Sequence, residues 1–422
     1  MFIGHFTEEP WQVPDWPDEW GTGIHKVSNA EYDPQRAANL YNRYLDEKLY
    51  AEEVGFDGLM VNEHHSAPFC MNGVANVQAS ILARITTKVK ILLLGNILPI
   101  HDDPLWLAGQ LAMIDVISRG RLIPGIVRGS GGESISHNIP PHYNRERFEE
   151  AHDFLIKTWT TPGPFRWEGK HFHYRYVNPW AVPYRKPHPP IWVPGTSSRE
   201  TVEWCARHRY PYVMLSTQLE LTREMFKVYY ETAEEEGYDA GPQHMGYMFF
   251  VHVEETKAKA MEVGRTLTQG VRSPFDPGVQ RPIPWIMSPP GLNSRNAVAL
   301  RRQMTAPDAT GKTRAGALAS FEDQVATKGM IVGTPEQCVE DIRYIMDYLR
   351  PGIIIFRTGD GAMDHESQMR TLKLMGAEVL PAMRDIAKEL GLPGPYEVDP
   401  ATNEPVEELA SGGAAGMRPP LS

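Results

Sequence analysis

The stretch Gly58-Leu59-Met60-Val61-Asn62-Glu63-His64-His65 is the part of the sequence on which the fold turns. It opens with a short apolar run that does not alternate, the pattern of a strand buried on both faces. The run then switches at one point to an amide, a carboxylate and two imidazoles. Before it, Ala37, Leu40, Tyr41, Tyr44 and Leu49 recur at helical spacing through 36–54, and Gly55 ends that segment. After it, 74–86 is again helical in pattern. A buried strand between two helices is the unit of a parallel α/β sheet.

The same unit repeats outward in both directions. Short apolar runs at 2–6, 58–61, 90–95, 121–127, 190–194, 212–216, 244–253 and 353–356 make eight predicted strands. Helical patterns lie between most of them. Asp103-Pro104 is a helix start, with Asp at the cap and Pro in the first turn. Leu105, Ala108, Ala112 and Val116 continue that face, and Gly120 stops it. Thr334-Pro335-Glu336-Gln337 is a capping box opening a helix to Leu349. Further helices are predicted over 147–159, 198–208, 220–236 and 367–390. Eight βα units favour an α/β (β/α)₈ TIM barrel over a doubly wound sheet, because no strand–Gly-rich-turn–helix fingerprint appears early.

Residues 1–392 are expected to form this barrel domain, with 160–190 as a surface excursion. The Pro- and Gly-rich segment 269–330 is expected to be an insertion or lid after the seventh strand, and 393–422 a disordered tail. Trp180 and Trp192 are expected to be packing residues. Trp285 is expected to pack as well, or to line a pocket from the insertion.

Composition narrows the function. In 422 residues, 42 Lys+Arg against 53 Asp+Glu give a net charge of −11, which argues against a nucleic-acid or anionic-membrane binder. The N-terminal residues lack a signal-peptide layout, and the longest apolar stretch, 91–100, is too short to span a bilayer. Three distant cysteines, Cys70, Cys205 and Cys338, suit the reducing cytoplasm and cannot form a disulfide framework. No metal centre is expected. His171-Phe172-His173 has chelating spacing but lacks an evident third ligand.

In a (β/α)₈ barrel the chemistry lies at the C-terminal ends of the strands. Those ends read Asn62-Glu63-His64-His65, Gly95-Asn96, Arg128-Gly129-Ser130-Gly131-Gly132, Gly195-Thr196-Ser197-Ser198, Ser216-Thr217 and Arg357-Thr358. Imidazole suits proton transfer near neutral pH, and adjacent strand residues face opposite ways, so one of His64 and His65 is expected at the barrel mouth. Thr196-Ser197-Ser198 before a helix offers hydroxyls and free N–H groups, a phosphate site in physical terms. Plain N-capping by Ser198 accounts for it equally well. Arg128 suits a phosphate or a carboxylate partner, and Arg145 and Arg147 suit surface pairs with Glu146, Glu149 or Glu150. Asn96 either caps its strand or hydrogen-bonds into the mouth.

Taken together, several elements resemble one family. They are Gly55-Phe56-Asp57 leading to Glu63-His64-His65, Leu98-Pro99-Ile100-His101-Asp102-Asp103-Pro104, Ser118-Arg119-Gly120-Arg121-Leu122 after Asp115, Gly125-Ile126-Val127-Arg128-Gly129, and Gly333-Thr334-Pro335-Glu336. In order and spacing, over roughly residues 1–390, they resemble the bacterial luciferase-like flavin-dependent monooxygenases. The resemblance implies reduced FMN (FMNH₂) and O₂, oxygenating a small organic substrate through a C4a-peroxyflavin. It also implies a separate NAD(P)H-dependent flavin reductase, as in a two-component system, and a homodimer.

Carried over residue by residue, His64 resembles the catalytic histidine, with Glu63 beside it in the flavin pocket. Leu94, Gly95 and Asn96 would lie against the flavin ring. Arg128 and Ser198 resemble the phosphate-binding positions, with Ser197 and Arg147 as further cofactor-binding candidates. Val127 stands where the light-emitting α subunit has a cysteine, and Ser197 where it has an acidic residue, which implies oxygenation without light. Two alternatives share the barrel: a deazaflavin F420-dependent reductase or dehydrogenase, and a flavin-free structural subunit.

Overall fold

The structure is a computed structural model, and it describes residues 1–12, 27–129, 131–268 and 320–406. Eight parallel strands form one curled sheet: β1 (Phe2–Phe6), β2 (Gly58–Val61), β3 (Lys90–Leu93), β4 (Leu122–Ile123), β5 (Val193–Gly195), β6 (Tyr212–Leu215), β7 (Met245–Val253) and β8 (Ile353–Arg357). Their order is β4-β3-β2-β1-β8-β7-β6-β5. At the two ends of that path the chain meets itself: Trp192 N–H donates to Pro124 O and Ile126 N–H to Trp192 O, both 3.1 Å. Register is in phase along the centre, with Phe2 opposite Ile353 and Phe6 opposite Arg357.

Alternation along each strand builds two cores. Ile354 and Phe356 of β8 pack outward beneath the helices, while Ile353 and Ile355 point into the curl. There they meet Phe2 and Phe6 of β1, Met60 of β2, Leu92 of β3, Ile123 of β4, Val213 of β6 and Met248 of β7, with Trp192 entering just before β5. Phe2 and Trp192 meet edge-on at 5.0 Å. Gly58 leaves room for this ring, since a Cβ there would lie 2.4 Å from Phe2 Cζ. With the interior filled, a ligand has access at the rims and not through the middle.

The helices follow their predicted signals. They are α1 (Pro34–Glu53), α2 (Ala75–Ile85), α3 (Pro104–Ser118), α4 (Asn144–Thr160), α5 (Arg199–Arg207), α6 (Leu219–Glu235) and α7 (Pro335–Leu349). Asp103 accepts from Trp106 N–H as the cap of α3, and Thr334 and Gln337 close the capping box of α7. No helix among the described residues is long and apolar enough to cross a membrane.

Several expectations are corrected. The fourth strand is not continuous over 121–127: Pro124-Gly125 divides it, and Ile126–Val127 pairs instead with Asn96–Ile97. The buried face of α3 holds the expected Ala108 and Ala112 together with Leu107, Leu111 and Ile114, whereas Val116 is exposed. The 160–190 excursion contains an antiparallel hairpin, Phe165–Glu168 with His173–Val177, and Trp180 is 98% exposed. The closing helix is two helices, His365–Leu374 and Leu380–Leu390, joined by a π-helical turn.

Most of the expected insertion, 269–319, lies outside the described residues, and so does Trp285. Its end is ordered as a helix (Phe321–Ala326), and Met330 begins a further parallel strand, Met330–Gly333, on the outer half of β7. The expected tail does not begin at 393. Tyr396 packs its ring 5.9 Å from Phe2, and Val398 bridges Pro405. An apolar anchor thus holds 393–406 against the sheet, and 407–422 lie outside the described residues.

Candidate active site

The C-terminal rim gathers polar side chains from strands that are remote in sequence. Past the end of β2, His64 and His65 take different partners. The His64 ring lies 4.7 Å from Phe69, and its Nδ1 is 3.1 Å from Glu133 Oε1. The His65 ring lies against His137, and its Nε2 is 3.3 Å from Glu63. His64 keeps a third of its side chain exposed at the rim. Burial alone would lower its pKa, but the hydrogen bond to Glu133 and the charges of Glu133, Glu8 and Glu63 outweigh burial and raise it.

Glu63 is buried, and both its oxygens are engaged within the protein. Oε2 accepts Ala75 N–H at 2.9 Å, capping α2, whose own cap position is held by the apolar Val74. Burial raises its pKa, and the bonds from His65 and Ala75 N–H outweigh that and hold the carboxyl below its usual range. Glu63 is therefore the cap of α2 and does not present a free carboxylate.

Beyond β3, a Cβ on Gly95 would come within 2.4 Å of Gly125 O, so this backbone crossing admits only glycine. The Leu94–Gly95 peptide is cis, and Leu94 packs on the inner core. Asn96 is fully buried. Its Nδ2 donates to Asn76 Oδ1 at 3.0 Å, and Asn76 donates on to Gln110. Asn96 Oδ1 is a buried acceptor without a hydrogen-bond partner in the protein.

Arg128, after β4, and Ser198, before α5, come together with Nη2 and Oγ 3.4 Å apart. Burial, with Arg145 adding to it, brings the Arg128 pKa down to about 10, so the guanidinium stays charged at neutral pH. Ser198 occupies the cap position of α5, but its side chain makes no capping bond. Its Oγ faces Arg128, Glu200 and Thr201 instead. The plain-capping reading of Ser198 therefore does not hold, and the helix N-terminus is left without a side-chain cap beside a cation. Ser197 is half-buried next to it.

The structure does not bring Arg147 into this pair. Its guanidinium donates to Pro99 O, His101 O and Asp102 Oδ1, holding the loop before α3. Arg145 lies near Glu149, as expected for a surface pair.

Two groups of rim residues escaped the sequence reading. Thr7-Glu8-Glu9 follows β1 as Asn62-Glu63 follows β2, the same apolar-to-acid switch. Glu8 Oε1 is 3.0 Å from Arg357 Nη2, and its other oxygen accepts from Asn62. Asp360 pairs with Arg357 and accepts Glu8 N–H at 2.7 Å. Burial pushes the Glu8 carboxyl up in spite of Arg357. Glu133, the partner of His64, is the other omission, and no local motif marks it. Among the described residues no group of three or more His, Cys, Asp or Glu side chains is arranged to hold a metal ion.

The donor set fits a phosphorylated planar cofactor. An Arg and a hydroxyl sit at an open helix N-terminus. Glycine backbone lies at the ends of β3 and β5, where a Cβ on Gly195 would come 2.5 Å from Tyr212 Oη. A buried amide oxygen is left to be satisfied.

Comparison with known proteins gives the family and the fold. The family model described as luciferase-like monooxygenase matches residues 27–349. The chain is 26% identical over 218 residues to the alkanal monooxygenase alpha chain of Photorhabdus luminescens, a match covering 51% of this chain and 59% of that one. It superposes on the FMN-bound oxygenating constituent of 3,6-diketocamphane monooxygenase of Pseudomonas putida with TM-score 0.68, at 20% identity over 90% of this chain and 98% of that one. It superposes on an F420-dependent secondary alcohol dehydrogenase with TM-score 0.62, at 16% identity over 91% of this chain and 99% of that one. The match at 27–349 takes in the rim residues after β2 to β5, though not Glu8, Arg357 or Asp360, and the chain belongs to the luciferase-like monooxygenase family.

Proposed function

We propose that this chain is the oxygenase component of a two-component, FMNH₂-dependent monooxygenase, a (β/α)₈ barrel acting in the cytoplasm on a small organic substrate with O₂. The observation that carries this reading is the open N-terminus of α5, where Ser198 leaves the cap role and turns to Arg128, on the same rim as the partly exposed imidazole of His64. Membership of the family and the FMN complex of one structural neighbour support it.

Arg128 and Ser198 would hold the phosphate, with Ser197 adjoining. Leu94, Gly95 and Asn96 would back the flavin ring. Bound reduced flavin supplies the two electrons that activate O₂. His64 exchanges a proton at Nε2, the atom turned away from Glu133, an effect typically worth roughly 10²–10⁴-fold. The reductant arrives as diffusible FMNH₂ from a separate reductase. The outer faces of α2 and α3 expose Val77, Ile81, Met113 and Ile117 together, an apolar patch suited to a homodimer interface.

The test is anaerobic titration of the protein with FMNH₂ and with reduced F420, followed by admission of ¹⁸O₂ with a panel of aldehydes and ketones. Tight FMNH₂ binding and ¹⁸O in product are the expected results. Binding of reduced F420 alone, with hydride transfer in the absence of O₂, moves the chain to the dehydrogenase class. Binding of neither leaves a structural subunit.

A further inference from the structure

The imidazole at the rim does not stand alone. We propose that Glu133 is a positioning residue for His64: its carboxylate accepts Nδ1–H, fixes the ring, and leaves Nε2 as the atom that takes or gives the proton. This deepens the reading under Proposed function and rests on it for the reaction served, though the pairing itself can be measured without flavin.

The geometry comes from two loops stitched together. Glu133 lies on the helical turn Gly131–Ser136, reached from Arg128 through Gly129 at φ +72°. A Cβ at Gly129 would come 2.4 Å from Ile97 Cγ2, so that path is open to glycine alone. From this turn Glu133 Oε1 meets His64 Nδ1 at 3.1 Å, and Ser136 Oγ meets Ser66 Oγ at 3.3 Å. Phe69 packs on the ring. Glu133 itself is largely buried, which strengthens the pairing. The segment that offers Arg128 to a phosphate therefore also carries the partner of the imidazole.

The other charges around His64 act differently. Glu8, from the end of β1, is held by Arg357 and Asn62, and Arg357 also pairs with Asp360. Glu63 is held by Ala75 N–H and His65. His137, just past the turn that carries Glu133, faces the His65 ring, and its Nδ1 bonds Glu133 O. Glu8 and Glu63 reach His64 through space, and Glu133 is the carboxylate hydrogen-bonded to the ring. With Nδ1–H given to Glu133, neutral His64 presents a lone pair at Nε2 and takes a proton there. The imidazolium then returns that proton from Nε2, with Nδ1–H still held by Glu133.

NMR titration of the flavin-free protein tests this. The His64 Cε1–H signal is assigned by its loss in His64→Gln. In Glu133→Gln the midpoint should fall by roughly one to three pH units, the loss of one adjacent opposite charge. Glu133→Asp should retain most of the wild-type value. Independently of any variant, ¹⁵N spectra of wild type above the midpoint should place the remaining ring proton on Nδ1. An unmoved midpoint in Glu133→Gln, or a wild-type proton on Nε2, overturns the proposal. If the midpoint shifts but FMNH₂ does not bind, the functional reading fails and the pairing stands.

Discussion

Replacing Arg128 with Gln separates a phosphate-binding arginine from one that merely packs. Its guanidinium is half-buried past the end of β4, and although burial lowers its pKa it stays charged, so binding should be flat across the neutral range. Losing one charge-assisted hydrogen bond costs about 1.5–3 kcal/mol. At about 1.4 kcal/mol per decade, that is roughly a 10–150-fold rise in Kd. The lower half of that range is expected, because Arg145 remains nearby to attract the phosphate. The assay is anaerobic titration with reduced FMN and, in parallel, with reduced riboflavin, which lacks the phosphate. Arg128→Gln should lose affinity for FMN and keep its affinity for riboflavin, so the two ligands converge. Equal loss for both, or no loss for FMN, would refute a phosphate at the β4–β5 rim.

Three other outcomes follow from the structure. Gly95→Ala should destabilise by about 1–3 kcal/mol, since its Cβ would meet Gly125 backbone at 2.4 Å. Gly109→Ala, in α3 with no atom within 4 Å of the new Cβ, should stabilise by about 0.5–1 kcal/mol; urea midpoints that move the same way for both would contradict this. If the proposed homodimer uses the α2–α3 face, Val77→Glu combined with Met113→Glu should turn it into a monomer by sedimentation velocity, and a wild-type dimer whose sedimentation coefficient the pair leaves unchanged rules out that face. His252 is buried, with Nδ1 2.9 Å from Thr371 Oγ1, and burial lowers its pKa from 6.5 to about 4. The unfolded chain therefore binds the proton first, so this site's stabilisation is complete above about pH 6.5 and about 3 kcal/mol of it is lost as pH falls toward 4. His252→Gln should make that limb shallower by about 1.4 kcal/mol per pH unit, and an identical slope would remove His252 as its source.

The strands were legible because burial on both faces writes itself into composition. The run 353–356 can hardly be anything else, and the apolar-to-polar switch after Val61 marks which end of the sheet is wet. Caps were legible for the same reason of locality: Asp103-Pro104 and Thr334 to Gln337 close bonds within one turn. The strand Met330–Gly333 was hidden at the edge of a Pro- and Gly-rich segment, and only its register on the outer half of β7 shows it as a strand. Tyr396 was hidden in a similar way, since a single aromatic among prolines and glycines carries no period.

At the rim, residues that act alone were legible and residues that act in pairs were not. His64, Arg128 and Ser198 were found because each is an unusual side chain at a strand or helix end. Whether Ser198 capped its own helix or faced a cation could not be decided from the string, because the two states differ by one side-chain rotation; the structure turns it to Arg128. Arg147 shows the converse. A guanidinium near a loop suggests an anion, yet three acceptors of the loop before α3 already hold it. The resemblance put Glu63 in the flavin pocket beside His64, and the structure commits its oxygens to Ala75 N–H, where one turn of α2 needed a cap, and to His65. The carboxylate beside His64 is supplied instead from the connection after β4, 69 residues away, as Glu133. The sequence neighbour Glu63 is committed to α2, and the curled parallel sheet supplies the partner of His64 from the loop after β4, two strands along the sheet. The chemistry of such a rim is therefore set by its cross-loop pairs, Glu133 with His64 and Glu8 with Arg357, more than by any motif within one loop.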